Sequence, residues 1–186
     1  MSSRRGFREA AAAPSAYSVT ATLLAAGGGE PRTGYIGAGL QGVFPSNAGL
    51  SSGLGLDVNY TANLAESFSV ELSLAHASLD AGGIGPGAEF KILGLGAVAQ
   101  FGKPFGAARW YAGAGLAYWM NDISGAAVTA DDSVAFTVAA GADLPVVTTG
   151  DLCIELRYLL SDADLSTGST LDLDSFGVRV NYVFKY

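Results

Sequence analysis

The sequence predicts an all-β fold: an eight-stranded antiparallel up-and-down β-barrel that is transmembrane. Three observations predict it. From Thr33 onward, apolar residues recur at every second position in stretches of ten or more residues, which is the period of a strand. Almost half the chain is apolar (49%), yet no run of about 18 apolar residues exists, so a spanning helix is excluded. The minor face of the alternation is mostly Gly, Ala, Ser and Thr with a few charges. A water-exposed face would carry many more Lys and Glu, whereas a barrel of eight strands has an interior barely wide enough for side chains.

Residues 1–32 stand apart from the rest of the chain. Arg4, Arg5 and Arg8 precede an Ala-rich stretch and Leu23-Leu24-Ala25-Ala26, an order of basic, apolar and small residues that resembles an export signal. Glu9 and Pro14 interrupt it, so a mobile extension is the competing reading. The barrel is expected over residues 33–186.

The strands are expected at Gly34–Phe44, Gly53–Ala62, Ser67–Ser78, Glu89–Phe101, Arg109–Asn121, Ser133–Leu144, Asp151–Asp162 and Leu173–Tyr186. Most exceed the ~5–6 residues of ordinary strands and suit the ~9–11 needed to cross a bilayer at a tilt. Strand two sets Leu54, Leu56, Val58 and Tyr60 against Gly55, Asp57, Asn59 and Thr61. Strand three sets Phe68, Val70, Leu72 and Leu74 against Ser69, Glu71, Ser73 and Ala75. Strand four is less clean and is expected to send Leu93, Leu95 and Phe101 outward. Strand five sets Trp110, Leu116 and Tyr118 against Tyr111, Gly113 and Gly115; strand seven sets Ile154, Leu156 and Tyr158 against Cys153, Glu155 and Arg157. In the last strand Phe176, Val178, Val180, Tyr182, Phe184 and Tyr186 share one parity, and only Val183 breaks the other. Short turns are expected at 63–66, 102–108 and 145–150, and external loops at 45–52, 79–88, 122–132 and 163–172.

The net charge of −7 argues against a nucleic-acid partner. A single cysteine, Cys153, leaves no internal disulfide, and a single histidine, His76, limits histidine-based chemistry to one candidate. No cofactor is implied.

The last strand, alternating and closing on an aromatic, resembles the closing strand of bacterial outer-membrane β-barrels. The segment Arg109-Trp-Tyr-Ala-Gly-Ala-Gly-Leu-Ala-Tyr118 resembles the fifth strand of the small OmpA-like and OmpW-like barrels, and Ala140-Gly-Ala-Asp143 also fits. The resemblance covers roughly Thr33 to Tyr186. It implies the outer membrane of a Gram-negative cell envelope, with outer-membrane lipid and lipopolysaccharide around the barrel. It also implies that Tyr182, Phe184 and Tyr186 are the signal read by the barrel-assembly machinery. OmpW-like barrels have longer loops and an apolar external funnel linked to passage of small hydrophobic molecules, whereas the loops here are short and rich in Asp.

Four constellations carry possible chemistry. The segment Gly37-Ala-Gly-Leu-Gln-Gly42 spells a dinucleotide fingerprint, but no helix pattern comes after it, so a Gly-rich face of strand one is favoured. On the lumen parity, Asp57, Glu71, Asp143 and Glu155 face Arg157, Arg179 and Lys185, with Lys91 and Arg109 as weaker members. Buried charges must pair, so an ion-pair network that plugs the barrel is favoured over a conducting, porin-like pathway. The external edge holds Asp122, Asp131, Asp132, Asp162, Asp164, Asp172 and Asp174; a solvated acidic rim is favoured over cation bridging to lipopolysaccharide, since no EF-hand spacing appears. Finally, His76 and Ser78 share the lipid-facing parity with Asp80 nearby. Some lipid A deacylases are eight-stranded barrels with a His-x-Ser pair, in which imidazole activates a hydroxyl toward an acyl ester. An interfacial histidine beside a loop is the favoured alternative. The expected function is non-enzymatic, either envelope-structural or surface-binding.

Overall fold

The computed structural model describes residues 34–65, 67–147 and 149–184. The possible signal at 1–32, and Lys185 and Tyr186 of the expected lumen network and assembly signal, lie outside them. Eight strands close into one antiparallel barrel: β1 (Gly34–Pro45), β2 (Gly53–Ala65), β3 (Phe68–Asp80), β4 (Glu89–Phe105), β5 (Ala108–Ser124), β6 (Ser133–Val147), β7 (Gly150–Leu160) and β10 (Ser175–Phe184). Two short strands, β8 (Asp162–Asp164) and β9 (Thr170–Asp172), form a separate hairpin between β7 and β10. Neighbours in sequence are neighbours in space, and β1 closes on β10 from Ile36↔Phe184 to Pro45↔Ser175. Closure leaves no sheet edge, the one β arrangement that satisfies every backbone group in hydrocarbon.

The outer surface is apolar. Leu40, Leu54, Leu56, Leu72, Leu95, Leu116, Val134 and Leu156 are all exposed on it. In water so wide an apolar belt would drive aggregation; in lipid it meets a solvent of its own kind. Both parities run as the alternation requires, including Leu93, Leu95 and Phe101 outward on β4. Val183, the exception in the last strand, is 3% exposed and packs inward with Tyr111 and Cys153.

Three boundaries differ from expectation. Pairing of β4 with β5 continues through Lys103↔Trp110 and Pro104↔Arg109, so the turn expected at 102–108 shrinks to Gly106 and Ala107. Gly106 takes φ 63° there, which a two-residue hairpin turn asks of its first residue. Pro104 is tolerated because β3 has already ended at Phe68↔Phe101, so its missing N–H points to an unpaired side. Pro145, expected at a strand end, sits inside β6 where the register with β7 shifts. The loop expected at 163–172 contains the β8–β9 hairpin; three-residue strands are too short to show a period in sequence.

The interior has two storeys. Toward the short-turn end it is polar and charged. Toward the loop end it is apolar: Val43, Leu79, Phe90, Ile92, Trp119, Ile123 and Leu159 point inward and pack against Leu50, Ala81, Ala163, Leu171 and Leu173 from the connections above. The expectation of a lumen face of mostly small residues with a few charges therefore holds for only half the barrel. A cavity of about 50 Å³ remains between the storeys, bounded by Gln41, Ser73, Gly94, Trp119, Arg157 and Leu159.

Candidate functional site

Arg179 on β10 is the centre of the polar storey. Its Nη1 donates to Asp57 Oδ1 at 3.1 Å and Glu71 Oε1 at 2.8 Å, and its Nη2 to Glu71 Oε2 at 2.5 Å and Glu155 Oε2 at 3.0 Å. Arg157 on β7 joins the same carboxylates, Nη2 to Glu71 Oε1 at 2.8 Å and Nε to Glu155 Oε1 at 2.9 Å. The period-2 rule puts these groups inside, and the register sets Arg179 directly across from Glu155. Small inward residues make room: a side chain at Gly37 or Gly39 would collide with Asn59 or Asn181. All three glycines of the apparent dinucleotide fingerprint thus belong to a strand; Gly37 and Gly39 clear space for lumen amides, whereas Gly42 lies on the outer face beside Phe44.

Three carboxylates share two guanidinium groups, so neutral donors complete the shell. Asn181 Nδ2 donates to Asp57 at 2.6 Å, Asn59 Nδ2 to Glu71 at 3.3 Å, Gln100 Nε2 to Glu71 at 3.2 Å and Tyr111 OH to Glu155 at 2.8 Å. None of these four was expected in the network, although all lie on the lumen parity. Asp143 is not part of this centre. It pairs with Arg109 at 3.1 Å nearer the turns, and Arg109 reaches the main network through Ser69 and Gln100. Arg109 is thereby a full member. Lys91 is not: it lies on the outer face, 3.1 Å from Glu89, because it shares the parity of Leu93 and Leu95.

His76, Ser78 and Asp80 do not assemble into a catalytic set. Ser78 Oγ donates its proton to the Glu89 carboxylate. His76 Nδ1 lies 3.1 Å from the Ile92 carbonyl oxygen, a contact that puts the proton on that nitrogen. Asp80 Oδ1 accepts from the Gly82 N–H at 2.9 Å and shapes the loop.

The acidic rim is largely occupied by its own loops. Asp132 accepts from Tyr118 OH at 2.7 Å, Asp174 from the Ser161 N–H at 3.0 Å, Asp172 from the Asp174 N–H at 2.7 Å and Asp164 from Thr170 Oγ1 at 2.9 Å. Asp122 stands opposite Lys91 in the β4–β5 register. Asp131 and Asp162 complete the rim. Among the described residues no cluster of three metal-binding side chains occurs.

Residues 10–184 match the family described as "Outer membrane protein beta-barrel domain". The chain belongs to that family. Comparison with curated protein sequences gave no match. Among solved structures, the chain is similar to the outer membrane protein OprG from Pseudomonas aeruginosa, with a TM-score of 0.66 and 18% identity over 82% of this chain and 95% of that one. It is similar to Neisserial surface protein A, with a TM-score of 0.66 and 16% identity over 83% and 98% of the two chains. A third likeness is to the attachment invasion locus protein Ail of Yersinia pestis, solved with the heparin analogue sucrose octasulfate; its TM-score is 0.51, with 11% identity over 81% and 97%. At these identities the likeness is one of fold. Family and fold place the protein in the bacterial outer membrane, among its phospholipid and lipopolysaccharide. By the rule of such barrels, short turns face the periplasm and longer connections the exterior.

Proposed function

We propose that the protein is a closed, non-enzymatic outer-membrane barrel with an envelope-structural role that presents an acidic external cap for surface binding. One observation carries this reading: Arg179 spans the lumen and holds Asp57, Glu71 and Glu155 together in a fully buried cluster. In this reading the ties at one level and the apolar side chains packed at the next support a lumen closed to water. Tyr182 and Phe184, with Tyr186, act in this reading as the signal for the barrel-assembly machinery. Planar bilayer recordings on the full chain test closure: silence is expected, and stable, reproducible conductance would overturn it. Mass spectrometry of lipid A from cells expressing the protein tests the non-enzymatic part, with an unchanged acylation pattern expected for wild type and His76→Ala alike.

The apolar external storey favours a second reading, reception of a small hydrophobic molecule from outside. That role requires the loop cap to open, and flux of such a molecule into liposomes would reveal it.

A further inference from the structure

We infer that the outer face of the β4–β5 hairpin, around Lys103 and Trp110, is a binding site for the phosphate headgroup of an inner-leaflet glycerophospholipid. Five Lys and Arg residues fall in the described part of the chain: Lys91, Lys103, Arg109, Arg157 and Arg179. Four are in ion pairs with carboxylates. Lys103 has no carboxylate partner among the described residues, and it is exposed on the lipid-facing parity.

Its surroundings are those of a headgroup cradle. Lys103 stands directly across from Trp110 in the strand register. Phe101 and Phe105 flank it at two-residue spacing on the same face, 65% and 77% exposed. Phe68 stacks beside Phe101 with ring centroids 4.9 Å apart. An open cleft of about 320 Å³ lies here, bordered by Ser67, Phe101, Lys103, Trp110 and Ala112. A lysine bends its ammonium toward the aqueous boundary while its stem lies on apolar surface. Aromatic rings prefer that same boundary, where one edge is wet and the other apolar. Acyl chains would run along Phe101 and Ala112 toward the membrane centre.

Charge and position select the occupant. The hairpin turn is one of the three short ones, hence on the periplasmic side, where the leaflet is phospholipid. The opposite rim carries nine carboxylates (Asp80, Glu89, Asp122, Asp131, Asp132, Asp162, Asp164, Asp172 and Asp174) and a lysine already paired with Glu89. A single unpaired cation suits one phosphodiester. The attraction of an anionic headgroup to one lysine corresponds to about fivefold in affinity.

Native mass spectrometry of the full chain, folded in detergent and titrated with phosphatidylglycerol, tests the assignment. Lys103→Gln is expected to lower lipid retention about fivefold, Lys103→Arg to keep it, and Lys91→Gln to leave it unchanged. Position 103 faces outward, so these variants fold as the parent does, which gel mobility of the unheated protein verifies. Equal retention by wild type and Lys103→Gln would overturn the site. So would an equal loss in Lys91→Gln, which would mean unspecific charge, or preferential binding of lipid A over phosphatidylglycerol, which would mean the wrong leaflet.

Discussion

Arg179 meets Glu71 end-on, Nη1 to Oε1 at 2.8 Å and Nη2 to Oε2 at 2.5 Å, two parallel bonds across the lumen. Fork-to-fork pairing of this kind fixes geometry as well as charge. The strands concerned, β10 and β3, are not neighbours in the barrel, so the pair acts as a cross-brace rather than a sheet contact. Removing one partner strands the other. Arg179→Met is expected to cost about 3–5 kcal/mol, because Glu71 and Asp57 stay buried without their main cation. Urea unfolding in lipid vesicles would measure it. The double variant Arg179→Met with Glu71→Leu is expected to recover part of the loss, since it replaces one buried pair by apolar groups while Asp57 stays buried without a cation. A double variant no more stable than the single one would show that the brace matters for more than charge compensation.

Trp119 does for the upper storey what Arg179 does for the lower. It lies 6% exposed, with its indole against Gly94, and borders the cavity between the storeys. Trp119→Ala is expected to destabilise the barrel by about 3–5 kcal/mol through the enlarged void. It is nevertheless expected to leave bilayer recordings silent, because the ion-pair network below is untouched. Conductance from this single change would mean that the apolar storey alone keeps the lumen shut.

The barrel was legible because its signal is redundant: strand after strand repeats one alternation, and any single lapse, such as Val183, is outvoted. The charged members of the network emerged from the same parity, since Asp57, Glu71, Glu155, Arg157 and Arg179 cannot face lipid. Its neutral members were not legible as a site. Asn59, Gln100, Tyr111 and Asn181 are common residues on the right face, and only the register brings them to the carboxylates. Lys91 was misjudged for a related reason. A charge near a strand end can leave the lumen at little cost, so charge alone does not give its face. The apolar upper storey was hidden because small residues dominate the inward face of the expected strands and masked its few large ones. Phe90, Ile92 and Trp119 then add a layer of large inward residues that the glycines of the central lumen do not announce.

Removal of divalent cations provides a separate check on the rim. Asp132 already accepts a hydrogen bond from Tyr118 on β5, and Asp164, Asp172 and Asp174 accept theirs from the connection between β7 and β10, whereas hard-cation sites need several free oxygens converging on one point. Thermal unfolding in detergent is therefore expected to give the same Tm with EDTA as with added Ca²⁺. A clear upward shift with Ca²⁺ would mean that the rim carboxylates converge on an ion.

The β8–β9 hairpin is the part of the cap whose loss should be separable from the barrel. Its alternation points Ala163 and Leu171 inward and Asp162, Asp164 and Asp172 outward. It is held by the bridge between Ala130 and Leu165 and by backbone bonds from Asp131 to Asp164 and from Leu173 to Ser161. Its apolar side contributes Leu171 and Leu173 to the upper storey. Leu171→Asp would set a charge where the hairpin needs an apolar contact, at a cost of several kcal/mol if it stayed docked. The hairpin can escape that cost by lifting off, because none of its hydrogen bonds belongs to the barrel ladder. Limited proteolysis of intact cells is then expected to cut Leu171→Asp within residues 161–174 while the wild type resists. The two fragments are expected to stay together in one folded barrel until heated. Cleavage that released an unfolded barrel would show that the cap and the barrel fold as a single unit.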